Sequence, residues 1–144
     1  MTEIIKKQKI LTDKIKSSVN TAIAVADKYI SSFKPDIFGK QKLNGEAEAN
    51  FFAVTENLNS FSEQIMDHAT DLLALENECA SVNAESTKIH EIAICVSEIP
   101  ELCVDPFLRS VYGEIKKDIA DVGNIRRAAA VFFTKLNNYI TRIS

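Results

Sequence analysis

The fold is decided by residues 51–96, which read FFAVTENLNSFSEQIMDHATDLLALENECASVNAESTKIHEIAICV. Apolar residues recur there at alternating steps of three and four, which is the spacing of a heptad repeat. The first core position of each heptad holds Phe51, Leu58, Ile65, Leu72, Cys79, Ser86 and Ala93. The second holds Val54, Phe61, His68, Leu75, Val82, Ile89 and Val96. Such a run predicts one long helix that packs against other helices.

Helical spacing continues on both sides of this stretch. A first helix is predicted over residues 2–33, because Pro35 disfavours helical geometry in the residue before it. Its apolar side carries Ile4, Leu11, Ile15, Val19, Ala22, Ala26, Tyr29 and Phe33. A last helix is predicted from Asp105 to Ile143, with Asp105 as the N-cap and Pro106 in the first helical position. The sequence therefore predicts basic outer helices around a central one.

The length of the middle helix is the open question about the fold. It is expected to run from Asn44, a good N-cap, to Glu98, shortly before Pro100. That is far longer than the usual helix of about 11–12 residues, and polar residues cluster at 83–87. We therefore predict an all-α fold in one domain, residues 1–144. It is an elongated antiparallel helical bundle of three long helices, or four if the middle helix breaks near residues 83–87.

Charge is distributed very unevenly along the chain. Residues 1–45 carry nine lysines against four acids, residues 46–101 carry twelve acids against one lysine, and residues 102–144 carry seven bases against four acids. The simplest interpretation is that the basic outer helices lie on the acidic middle helix and compensate its charge. Binding of nucleic acid needs exposed basic charge and aromatic rings free for stacking. The sequence therefore argues against a nucleic-acid partner.

Residues for chemistry are scarce, and we predict no catalytic, cofactor-binding or metal-binding site. His68 is expected at a core position, and neither His68 nor His90 has a second His or Cys one helical turn away. The phosphate-binding glycine loop is missing as well. Three cysteines with no CxxC pair favour reduced thiols in the cytoplasm. A secreted form that has lost its signal, with Cys95 and Cys103 oxidised, is the alternative.

These patterns predict a function in binding. In a continuous middle helix, residues 81–99 extend beyond the first helix and leave apolar side chains uncovered, and such a patch marks a partner site. The residues predicted to bind the partner are Ile92, Ile94, Ile99, Leu102 and Phe107. We predict a non-enzymatic protein that binds a protein partner or forms a homo-oligomer, as adaptors, chaperones, secretion-system components and small effectors do.

The alternative prediction is a bundle that engages a membrane surface or lipid through the first helix. Lys6, Lys7 and Lys9 stand there among Ile5 and Ile10, and basic amphipathic helices bind anionic lipid. No stretch approaches the roughly 20 apolar residues that a membrane-spanning helix needs. This function would therefore operate at the membrane surface.

Overall fold

The computed structural model describes residues 2–33, 40–41, 45–79 and 83–143. Its α-helices are α1 (Thr2–Ser31), α2 (Gly45–Glu78), α3 (Asn83–Ile99), α4 (Asp105–Ile115) and α5 (Val122–Ile143). A π-helical stretch, Pro100–Val104, joins α3 to α4 and is called the π segment below. Two short strands, β1 (Lys40–Gln41) and β2 (Ala120–Asp121), pair antiparallel at one end of the bundle.

Contacts between helix ends establish the directions of the helices. The start of α1 lies beside the end of α2, where Lys7 Nζ is 3.3 Å from Glu78 Oε2. The start of α2 lies beside the end of α4, where the Phe51 and Tyr112 rings stack at 5.4 Å. The start of α5 lies beside the end of α1, where the Arg126 guanidinium donates to the Phe33 carbonyl. The all-α antiparallel bundle is thus confirmed. It has four rods, namely α1, α2, the joined α3, π segment and α4, and α5, and their directions alternate along the chain.

Each rod has two neighbours around the bundle. Helix α2 packs between α1 and the rod formed by α3, the π segment and α4, and α5 packs between that rod and α1. Helices α2 and α5 therefore lie diagonally across the bundle, and their outward sides point in opposite directions. This arrangement determines which surfaces a partner can reach at the same time.

The core follows the three–four spacing of the apolar residues. Leu58, Ile65 and Leu72 on α2 are fully buried, as are Ile15 and Val19 on α1. Complete burial of one such side chain contributes about 1.5–3 kcal/mol. One core prediction is wrong: His68 is half-buried, and the neighbouring small residue Ala69 takes the core position.

The prediction of a continuous middle helix is wrong, and the four-helix alternative is correct, although the break lies between Glu78 and Asn83, before the predicted residues 83–87. Helix α2 ends at Glu78, Cys79 lies in a turn, and α3 begins at Asn83. At 1.5 Å per residue α1 is about 45 Å long, so it could not have covered a middle helix of some fifty residues. Turning back lets α3 bury Ile89 and Val96, which are fully buried.

The helix bounds beside the prolines agree with the prediction, since α3 ends at Ile99 and α4 begins at Asp105, but a π segment joins the two helices without a turn. Asp105 is not an N-cap, because its φ and ψ of −62° and −47° are helical and its N–H donates to the Pro100 carbonyl five residues back. A π segment of this kind absorbs the missing N–H of a proline without ending the helix. The last helix, predicted as one piece, is instead divided between Ile115 and Val122.

Two remaining points concern the edges of the described structure. The predicted N-cap Asn44 lies outside the described residues. The N-cap role of Asn44 at the start of α2 therefore stays a prediction. Within the described ranges, no helix combines the length and the apolar character needed to cross a membrane.

Candidate functional site

A groove lies between α5 and the rod of α4 and the π segment, and it combines a buried aromatic floor with exposed apolar walls. We call it the α4–α5 groove. Its floor is made by Phe107 and Phe132, whose rings stack at 4.7 Å between centroids and are both buried. Cys103 is also buried in the floor, and the groove encloses about 410 Å³. That volume lies at the small end of the range for protein pockets.

Apolar side chains are exposed along both walls of this groove. Leu102 on the π segment is 46% exposed and Val131 on α5 is 55% exposed. Two cations on α5, Arg127 and Lys135, flank Val131 at one helical turn on either side. An apolar surface with cations at either end favours a ligand with apolar and acidic groups.

Lys135 is held in place by a consequence of the proline at position 106. A helical residue normally donates its N–H to the carbonyl four residues back, but proline has no N–H. The Leu102 carbonyl therefore lacks its usual donor, and Lys135 Nζ donates to it at 3.0 Å. The contact joins α5 to the π segment and fixes the position of one groove cation.

At its other end the groove is closed by a buried carboxylate. Glu114 accepts hydrogen bonds from Lys117 Nζ at 2.7 Å, from Asn124 Nδ2 at 2.9 Å and from the Asp121 N–H at 3.0 Å. We call these four residues the Glu114 cluster. Burial alone raises the pKa of Glu114, but the three hydrogen bonds and the Lys117 charge outweigh it, so the pKa lies below its ordinary value. The carboxylate is charged at neutral pH and already has three donors.

The structure separates the predicted partner-binding residues into two groups. Ile92, Ile99 and Phe107 are buried in the monomer's own core, so the expectation that they form an uncovered patch is wrong. The reason is the turn after α2, which seats α3 against α2 and α5. Ile94 and Leu102 are both 46% exposed. Their role in binding stays a prediction. Of these two exposed residues, Leu102 lines the α4–α5 groove and Ile94 does not.

The thiols and histidines offer little chemistry. Burial raises the pKa of the Cys103 thiol to about 11, against a smaller opposing effect of Lys135, so the thiol at the groove floor is protonated at neutral pH. His90 is exposed, and its Nδ1 lies 3.0 Å from Glu76 Oε2, away from the groove. Among the described residues, no group of three His, Cys, Asp or Glu side chains is arranged to hold a metal ion.

A second surface lies on the outward side of α2, where the sequence predicts a solvated acidic side of the helix and no partner site. This acidic face comprises Phe52, Glu56, Asn59, Glu63, Met66, Asp67, Thr70, Asp71, Leu73 and Asn77, all of them exposed. Phe52 is 62% exposed and Met66 46%. A sequence signal did exist, since Phe52, Met66 and Leu73 share one outward heptad position beside the core positions.

Charge divides the bundle into two sides. Helix α2 contains eight acids and neither Lys nor Arg, whereas α5 contains four cations and no acid. Helix α1, beside α5, carries six lysines against three acids. The acidic α2 thus contacts one basic helix, α1, while α5 holds its cations on the far side of the molecule. Compensation within the monomer is therefore partial.

Comparison with family models, with curated proteins and with solved structures gives no match for this chain. The geometry and charge of the two surfaces are therefore the basis for an assignment of function.

Proposed function

We propose that this chain is a non-enzymatic helical bundle that acts by binding another protein, either a different protein or a second copy, through the α4–α5 groove. The observation that carries the proposal is the pair of exposed apolar walls, Leu102 and Val131, with Arg127 and Lys135 beside them. Helical grooves of this kind accept the apolar side of a partner helix. An adaptor, a chaperone, a secretion-system component or a small effector would use such a surface.

The state of the groove's polar groups supports binding over catalysis. Glu114 accepts from three donors of its own chain, and the Cys103 thiol is protonated at neutral pH because burial raises its pKa. A nucleophile needs an activating base within hydrogen-bond reach. What the groove offers a ligand is apolar area and two cations, which suit recognition.

A cytoplasmic location belongs to the same proposal. The cysteines Cys79, Cys95 and Cys103 are free and buried. Reduced thiols without a disulfide framework are typical of cytoplasmic proteins.

The test is a comparative pull-down from the source cells with three forms of the full chain. The first is wild type, the second carries Leu102→Asp and Val131→Asp, and the third is a control with Ile119→Asp, which is 60% exposed and not among the groove's lining residues. We expect mass spectrometry to find proteins, or added tagged copies of the chain, that wild type and control retain and the groove variant loses. Circular dichroism checks that all three fold. Equal capture by the three forms would contradict the proposal.

A second candidate function, binding to an anionic membrane surface, is favoured by the start of α1. Ile5 and Ile10 are 47% and 55% exposed there, among the exposed Lys6, Lys7 and Lys9. Apolar side chains among lysines suit insertion between anionic headgroups. Co-sedimentation with phosphatidylserine vesicles tests this function. Binding that salt weakens and that Lys6→Gln, Lys7→Gln and Lys9→Gln together abolish would support it, and no co-sedimentation at low salt would exclude it.

A further inference from the structure

We propose that the occupant of the α4–α5 groove is a second copy of this chain, which inserts the acidic face of α2 centred on Met66. The inference rests on the proposed function, because it names the partner of the same groove. The acidic face supplies exposed apolar side chains, Phe52, Met66 and Leu73, in a row along one helix. Met66 is unbranched and flexible, so it can fill an irregular groove between two helices.

Charge complementarity is the first argument for this occupant. Helix α2 contains eight acids and neither Lys nor Arg, and α5 contains four cations and no acid, although Arg127 lies 3.9 Å from the Asp121 carboxylate just before α5. Because the two helices are diagonal in the monomer, neither satisfies the other. Between copies the opposite potentials attract and orient the encounter, while two α2 faces or two α5 faces repel each other.

The spacing of the charges is the second argument. Arg127 and Lys135 are eight residues apart on α5, about 12 Å along the helix axis, with Val131 midway. On α2, Glu63 and Asp71 are also eight residues apart and both exposed, with the exposed Asp67 midway between them, and Met66 lies on the adjacent strip of the same outward side. One docked pose therefore brings two acids to two cations, with the exposed apolar strip of α2 beside them.

The third argument is the available area. Helix α5 has 22 residues and is about 33 Å long, and two adjacent helices present a surface about 20 Å wide. A contact that covered the whole strip would bury at most about 650 Å² on each copy, or about 1,300 Å² in total. Specific protein interfaces bury about 1,200–2,000 Å². The area suits an association that depends on concentration.

The diagonal placement of the two surfaces also dictates the symmetry. The acidic face and the groove point away from each other, so one pair of copies cannot form both contacts at once. Each copy in a pair keeps one free groove and one free acidic face. Contacts of this heterologous type generate open chains or closed rings larger than a dimer.

Charge reversal provides the experiment, with the mass of the full-length protein measured by sedimentation velocity over a concentration series. The groove variant carries Arg127→Glu and Lys135→Glu, and the face variant carries Glu63→Lys and Asp71→Lys. A matched control reverses two exposed cations on α1, Lys14→Glu and Lys28→Glu. We expect wild type and control to form species larger than a dimer that salt dissociates. Each variant alone should weaken association about tenfold or more.

The decisive result is rescue. When the four reversals are combined in one chain, or when the groove variant is mixed with the face variant, opposite charges face each other again and assembly should return. Wild type that stays monomeric at millimolar concentration, assembly that stops at a dimer, or a combined variant that stays monomeric would each overturn the inference. The pull-down distinguishes the two proposals. A monomeric wild type that still captures a different protein through Leu102 and Val131 removes the second copy and keeps the proposed function.

Discussion

The two hairpins of this bundle are held together by different kinds of contact. In the first hairpin, α1 and α2, the buried side of each helix is largely apolar, and Ile15 and Val19 on α1 and Leu58 on α2 are fully buried. In the second hairpin, α4 and α5 with the π segment, the aromatic floor is flanked by the Glu114 cluster at one end and by the Lys135 contact at the other. The first hairpin depends on burial, and the second adds directional hydrogen bonds to it.

This difference explains why the candidate site lies in the second hairpin. Grooves of about 380 and 340 Å³ also lie between α1 and α2, but their exposed lining residues are small or polar, such as Ser17, Asn57 and Gln64, and none is a large apolar side chain. A hairpin whose ends are tied by polar contacts keeps an open groove between them, in which Leu102 and Val131 remain exposed. Binding surfaces with a few well-placed polar groups beside apolar area are typical of recognition sites.

The largest difference in stability between the two hairpins should come from a change to the aromatic floor of the groove. We expect Phe132→Ala to cost about 3–5 kcal/mol, since it removes a fully buried ring. Phe132 also stacks on Phe107 and contacts Phe133 at 5.9 Å, and such ring pairs add about 0.5–1.5 kcal/mol. Phe61→Ala in the first hairpin, where the side chain is 4% exposed, should cost less. Urea unfolding measures both, and a costlier Phe61→Ala would contradict this ranking.

Sequence reasoning succeeded where packing alone decides the structure. The three–four spacing identified α1 to within two residues of its end at Ser31, and it identified the buried side of α2. A repeating apolar stripe has one energetically favourable side, so the period determines what is buried. The same logic failed at His68, because either of two adjacent residues could take the core position and the smaller Ala69 took it.

The second hairpin could not be predicted in the same way. Whether Pro106 begins a helix or lies inside one depends on a π segment that relies on tertiary contacts such as the one from Lys135. The Glu114 cluster joins residues up to ten positions apart across a turn, and no short-range pattern encodes it. Of the predicted site residues, Leu102 and Phe107 line the groove, while the residues across the groove come from α5, which was predicted as part of a helix starting at Asp105.

The next largest effect on stability should come from the Glu114 cluster, and this effect should depend on pH. Since the pKa of Glu114 is lowered in the fold, its carboxylate stabilises the protein above the ordinary pKa of a glutamate, and this contribution is lost as pH falls through the folded value. We expect Glu114→Gln to cost about 1–2 kcal/mol at neutral pH. The difference from wild type should shrink in acid.

An exposed carboxylate of the first hairpin serves as the control for that prediction. Glu63→Gln, measured at a dilution where copies do not associate, should change stability by less than about 0.5 kcal/mol. Urea unfolding from pH 7 towards pH 3 gives both curves. If Glu114→Gln follows the control at every pH, the cluster adds nothing to the second hairpin.

A smaller effect tests whether Lys135 substitutes for the donor that Pro106 lacks. Lys135→Met should cost about 0.5–1.5 kcal/mol in wild type, since it removes a charge-assisted hydrogen bond to the Leu102 carbonyl. Pro106→Ala supplies a backbone N–H for the same carbonyl, so in that background the cost should fall close to zero. A double-mutant cycle measures the coupling. Additive costs would show that the two residues act independently.

The smallest effect on stability should come from two glycines, Gly113 in the last turn of α4 and Gly123 in the first turn of α5. A Cβ at Gly113, which is exposed in the last turn of α4, meets no atom within 4 Å, so Gly113→Ala should stabilise the protein by about 0.5–1 kcal/mol. A Cβ at Gly123 would lie 2.9 Å from Asp121 Oδ1, the oxygen that caps α5 by accepting the Gly123 N–H. Gly123→Ala should therefore lose through the disturbed cap what it gains in helix propensity, and it should fall about 0.5–1 kcal/mol below Gly113→Ala. Thermal unfolding of the two variants decides the order. Equal stabilisation by both variants would contradict the prediction, because it would mean that the Asp121 cap of α5 is unaffected by a Cβ at position 123.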